Sequence, residues 1–125
     1  MARTALTALT SAADSGTAVT TANLDATDSH VFTPTHPLNE YVLIVTNTTS
    51  STKTITVKAG DNPPADASGV GDLVVSFGAG NVTPVVKTIG PLSSARFIQN
   101  DGTVNVDVAG SMTGTITLLR IPRTV

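Results

Sequence analysis

The sequence predicts an all-β fold, a two-sheet β-sandwich of which the jelly roll is one form, preceded by an extended N-terminal arm. Three observations carry this expectation. Between Glu40 and Pro122 the chain is a near-unbroken series of short Val/Ile/Thr-rich runs, each ended by Gly, Pro, Asn or Ser. Branching at Cβ restricts χ1 and favours the pleated surface over the helix. Ile55, Val57 and Ala59 alternate with Thr54, Thr56 and Lys58, and Val104, Val106 and Val108 alternate with Asn105 and Asp107. That period of two is the mark of a strand with one buried and one wet face. Strand-length runs at this regular spacing belong to sandwiches and barrels.

The elements follow in order. Residues 29–33 (SHVFT) form a first short strand, stopped by Pro34 and Pro37, which cannot donate to a central ladder. Residues 40–46 (EYVLIVT) and 52–59 (TKTITVKA) are expected as a hairpin across the polar turn 47–51. Residues 60–71 (GDNPPADASGVG) form the longest loop, because two prolines and three glycines forbid regular structure. Strands are then expected at 72–77, 82–89, 95–99, 103–108 and 114–121, with turns at 78–81, 100–102 and 110–114. The core should be aliphatic, drawing on Val42, Ile44, Ile55, Val57, Val75, Phe77, Phe97, Val104, Val106, Ile116 and Leu118, since aromatics make up only 3% of the chain.

The domain division places an arm at residues 1–28 and the sandwich at 29–125. The arm holds Ala, Thr, Ser and Asp, with isolated apolar side chains at Leu6, Leu9, Val19 and Leu24. It reads either as a frayed terminus or as a segment that orders on a partner, with those four residues as anchors. Residues 17–24 have the composition to add a strand to a neighbour's sheet edge.

Composition then excludes whole classes. At 125 residues the chain is one domain with room for a core. A formal charge of −2, with seven scattered basic residues, provides no field for nucleic acid. Without cysteine there is no thiol nucleophile, thiolate metal site or disulfide. No run approaches the ~18 apolar residues of a membrane helix, and a Thr at every third position interrupts the first ten residues where a secretory signal would need an apolar stretch. A soluble protein is expected. Charged residues are only 13% of the chain while more than one residue in six is Thr, so the sheet faces and edges are weakly defended against association. Assembly into an oligomer is expected.

A search for chemistry returns little. His30 and His36 flank Pro34, and Asp28 would share a strand face with His30, but no Ser or Thr sits in a nucleophile-elbow sequence. The pair reads as surface or turn-capping histidines. Asp61, Asp66 and Asp72 lie in or beside the long loop, without the ordered alternation and closing Glu of a calcium loop, so they read as turn formers. Gly69-Val70-Gly71 and Gly78-Ala79-Gly80 lack the strand–helix context of a phosphate cradle. Asn47-Thr48-Thr49 and Asn81-Val82-Thr83 match the glycosylation pattern, a three-residue match that a Thr-rich chain produces by chance. With no Trp and one Tyr, there is no aromatic platform for a sugar. No catalytic residue, metal or cofactor is expected, and the chain is read as no enzyme.

The order of segments adds a resemblance. The succession YVLIVTNTTSSTKTITVKAG, VVKTIGPLSSARFIQNDGTVNVDV and GTITLLRIP, over roughly residues 38–122, resembles the small head decoration (cement) proteins of tailed bacteriophages. That resemblance implies a non-enzymatic protein on the outside of a capsid, in contact with the major capsid protein and reinforcing joints between its subunits, often as a homotrimer. It also implies that a terminal segment grips the shell. The alternative is an Ig-like or jelly-roll module of a phage tail, fibre or bacterial surface assembly. Such a module would be expected as one piece of a longer chain, whereas this one begins at Met and stops just after its last strand.

Overall fold

The computed structural model describes residues 3–11, 16, 18–59, 71–92, 97–99 and 102–122. Their regular structure is almost entirely β: β1 (Thr4–Ala5), β2 (Leu9–Thr10), β3 (Ala22–Asn23), β4 (His30–Phe32), β5 (Tyr41–Asn47), β6 (Lys53–Val57), β7 (Leu73–Phe77), β8 (Val85–Ile89), β9 (Val104–Val108) and β10 (Gly114–Arg120). One sheet has the order β1-β4-β9-β6-β7, and the other β2-β10-β5-β8, with β3 also pairing β10. The two enclose one aliphatic core centred on Leu43, Val45, Ile55, Val57, Phe77, Val104, Val106, Ile116 and Leu118. The expected all-β sandwich is the observed fold.

Connectivity departs from the expected hairpins. Residues 48–52 do not fold β6 back on β5; they carry the chain to the facing sheet, where β6 pairs β7 and β9. β5 pairs β10 and β8 instead. Chain adjacency suggested the hairpin, but pairing follows burial. β5 and β6 each bury an apolar stripe, and facing one another across the core covers both stripes. The same crossing recurs from β4 to β5, β7 to β8, β8 to β9 and β9 to β10, so among β4–β10 only β6 and β7 are a sequential hairpin.

The buried face of β5 is Tyr41, Leu43, Val45 and Asn47, while Val42 and Ile44, expected in the core, lie on the outer face and are half-buried. The run YVLIV is apolar at both parities, so alternation could not choose a face. Asn47 chooses it. Its side chain is fully buried, donates from Nδ2 to Gly78 O at 2.8 Å and accepts at Oδ1 from Thr49 N at 3.0 Å. Turning Asn47 inward turns 41, 43 and 45 inward with it. Val75 is half-buried against the core, as are Leu73 and Val85. The strand expected at 95–99 is not present over its described part. Phe97 is buried with helical geometry, and Gln99 turns, its N–H donating to Thr103 O while its carbonyl accepts from Gly102 N. Most of the expected loop 60–71 lies outside the described residues.

Both open sides of the sandwich are closed. On one, Lys87 of edge strand β8 reaches across to β7, donating from Nζ to Ser76 O at 2.7 Å with its ammonium 5.8 Å from the Phe77 ring centre. On the other, the N-terminal segment crosses from sheet to sheet: β1 runs parallel to β4, and β2 parallel to β10. Between these strands Leu6 and Ala8 pack against the core. At the end where β5 begins, Arg120 and Glu40 form a largely buried ion pair at 3.1 Å, and neither Glu40 Oε1 nor Arg120 Nε has an aligned hydrogen-bond partner. Such a pair fixes geometry more than it stabilises.

Candidate interaction surface

The N-terminal residues were expected as an arm for a partner. The structure places them on their own sandwich, because β4 and β10 present open edges whose N–H and C=O groups need partners. Thr4 N donates to Ser29 O, Leu6 N to Val31 O, Ser11 N to Arg120 O and Leu24 N to Gly114 O, all at 2.8–3.0 Å. β3 takes the free edge of β10 beside β2, pairing Asn23 with Thr115 and Ala22 with Ile116. Leu6 and Leu24 are therefore turned to their own core, and Leu9 is half-buried in β2 opposite Leu119. Of the four expected anchors only Val19, 63% exposed, faces outward. The edge-adding strand expected within 17–24 forms at 22–23, within the same chain. Sparse apolar content misled here, since main-chain bonding, not side-chain burial, holds most of the segment.

Its anchor is polar and centred on His30. The Arg3 guanidinium pairs with Asp107 of β9 at 2.6 Å and donates to Val106 O at 3.3 Å and to His30 O at 3.4 Å. Asp25 accepts from Thr27 N, Asp28 N and the Thr4 hydroxyl. The Asp28 N–H first, then the Thr4 hydroxyl, hold its carboxyl below the ordinary carboxylate range. His30, expected at the surface, is fully buried at the inward parity it shares with Phe32 in β4. That shared parity was the signal available in the sequence. Asp28 does not pair with the ring; its N–H goes to Asp25, and its Oδ1 is buried without a partner. Nor, among the described residues, does a hydroxyl oxygen complete a nucleophile–base–acid arrangement, since Thr4 Oγ1 bonds Asp25 and the hydrogen bonds of the ring are to main-chain atoms. His36 is exposed, with Nδ1 3.1 Å from Thr35 Oγ1.

The surface most suited to contact lies at the opposite end of the sandwich from Glu40. There the crossings 48–52, 78–84 and 109–113 meet; their own residues are uncharged, and the Lys53 ammonium reaches in from β6 to donate to Gly110 O at 2.8 Å. Thr113 knits them together: its N–H donates to Thr49 Oγ1 at 2.8 Å, its carbonyl accepts from Thr48 N at 3.0 Å, and its hydroxyl lies 3.0 Å from Thr48 Oγ1. Gly80 N donates to Thr49 O at 2.8 Å. Close approach explains the glycines, because a Cβ at Gly80 would overlap Asn47 O and one at Gly114 would overlap Thr46 O. Val82 stands on this tip at 89% exposure. The outer face of the β5-containing sheet continues it, with Val86 exposed, Ile44 half-buried between Thr117 and Thr88, and Val42 and Leu119 half-buried opposite one another. An apolar side chain on a hydrogen-bonded surface with few charges can be desolvated at little polar cost.

The two glycosylation-like triplets separate here. Asn47 is buried and fully hydrogen-bonded, whereas Asn81 is exposed beside Val82. Of the loop carboxylates, Asp72 pairs with Lys58 at 2.9 Å and accepts from Ala59 N, while Asp61 and Asp66 lie outside the described residues. The Asp72 hydrogen bond holds the Lys58 ammonium above its ordinary pKa. Among the described residues no group of His, Asp or Glu is arranged to hold a metal ion. No protein-family model, curated protein or solved structure matches this chain.

Proposed function

We propose that this chain is a non-enzymatic structural protein that binds the outer surface of a bacteriophage capsid and stabilises the joints between major capsid subunits. One observation carries the contact mode: a hydrogen-bonded tip, its crossings built of uncharged residues, that presents Val82 to solvent. The segment order resembling head decoration proteins supplies the partner. In this reading the tip and adjoining sheet face meet the shell or a sister subunit, and copies assemble as a homotrimer on the virion exterior. Few charges are available for screening, so association should depend weakly on salt.

The test is addition of the purified protein to expanded phage heads that lack accessory protein, with bound copies counted per head. Saturation at a number fixed by the icosahedral positions supports the reading. Failure to bind any such shell at micromolar concentration, with the protein folded, would overturn it.

A further inference from the structure

We propose that His30 is an acid-sensitive latch that holds the β1 segment on the sandwich. The argument begins with its two ring contacts. Nε2 lies 3.1 Å from Asp25 N, a main-chain donor, so Nε2 must accept and carry no proton. Nδ1 lies 3.3 Å from Thr4 O, a main-chain acceptor, so Nδ1 carries the hydrogen. The neutral Nδ1–H tautomer is the only form that satisfies both. One fully buried ring thus joins β1, the 25–28 turn and β4.

Protonation would set Nε2–H against the Asp25 N–H, donor against donor, and would place a charge in a site closed to water. The left-handed backbone of Ser29 (φ +63°) and its bonds to Asp25 O and Val108 N fix the turn in place. With the turn fixed, relief comes from opening β1, which gives up the Thr4 O bond but lets water reach the ring and lets it rotate Nε2–H away from Asp25 N. The ionisable groups around the ring are Asp25 and Asp28 on the turn, Arg3 on the N-terminal segment and Asp107 on β9. The Asp25 charge favours the imidazolium, but its oxygens are engaged by Thr4, Thr27 and Asp28. Burial outweighs it, pushing the ring below its ordinary pKa, with the Thr4 carbonyl and Asp25 pulling the other way. A ring depressed in the closed state favours closure fully above its free value of 6.5 and loses that advantage as pH falls toward the depressed value. The Arg3–Asp107 pair also ties the segment to β9, so acid raises the open population without emptying the closed one.

Hydrogen exchange on the whole chain reads this directly. Thr4 N and Leu6 N donate to Ser29 O and Val31 O and report closure of β1, while the amides of β5 serve as reference. After correction for intrinsic rates, protection of the two β1 amides should fall several-fold between about pH 7.5 and pH 5.0. The ceiling is about 30-fold, the ratio for a ring that titrates only when open. Protection in β5 should stay constant. In His30→Gln the amide can accept from Asp25 N without titrating, so the fall should vanish. An equal fall in His30→Gln, or no fall in the parent protein, would overturn the latch. Should His30→Gln not fold, ring nitrogen shifts of the parent decide: an Nε2–H tautomer at neutral pH refutes the proposal, and Nδ1–H with loss of β1 protection on acidification sustains it.

Discussion

Replacing Leu43 by Ala, and separately Ile44 by Ala, tests the register on which the whole sandwich rests. Leu43 is fully buried on β5, between Leu118 of β10 and Ile89 of β8. Ile44 is its outward neighbour, half-covered by Thr117 and Thr88. Truncating a buried Leu removes its transfer energy and leaves a cavity, about 3 kcal/mol for a central position with rigid neighbours. At roughly 4 °C per kcal/mol for a domain of this size, the midpoint should fall by about 12 °C. Ile44→Ala removes side-chain area that is already partly wet and opens no internal void, so about 1 kcal/mol and 4 °C are expected. Thermal and urea melts followed by circular dichroism measure both. If Ile44→Ala costs as much as Leu43→Ala or more, β5 is slipped by one residue, and the inward placement of Asn47 falls with it.

Three further outcomes follow from the packing. Gly114→Ala places a Cβ against Thr46 O at a φ of +140° and should cost roughly 2–4 kcal/mol, read as a lowered urea midpoint. Deleting residues 3–11 uncovers the core beside Leu6 and strips His30 Nδ1–H of its acceptor, so the melt should drop by roughly 2–4 kcal/mol, whereas loss of a free arm would leave it unchanged. Val82→Asp, at a position already 89% exposed, should leave the melt unaltered yet weaken capsid occupancy about tenfold or more, since a charge must then be desolvated on docking.

The strands were largely legible because threonine and aspartate mark the wet face where they alternate with valine. β6 and β9 are the clearest cases, with Ile55, Val57, Val104, Val106 and Val108 all buried as expected. Where both parities are apolar, as in YVLIV, the sequence offers no such mark. The face of β5 was settled by a buried asparagine bonding a loop 31 residues away. Pairing partners were not legible, because the preference of successive strands for opposite sheets is a property of the closed core. The N-terminal anchor was hidden for a different reason. Its bonds join Thr4 and Asp25 to His30 and Arg3 to Asp107, and main-chain and ionic contacts of that kind leave no hydrophobic period to read.

The repeated crossing between sheets has a consequence for how the molecule is made. No contiguous half of the chain owns a sheet, so no fragment can bury a finished apolar face. β5 waits for β8 and β10 on its two sides, and β6 waits for β9. β10 is an inner strand of its sheet and the last of the described strands in sequence, and two of the early segments, β2 and β3, are seated on its edge. β2 and β3 thus have no edge to hold until residues 114–120 arrive, whereas β1 has β4 within the first 32 residues. Loop closure must be completed over nearly the whole length before contacts repay it, which makes assembly slow and concerted. The same interlocking makes the finished fold hard to open piecemeal, so a cut in one crossing still leaves both sheets bound through the others.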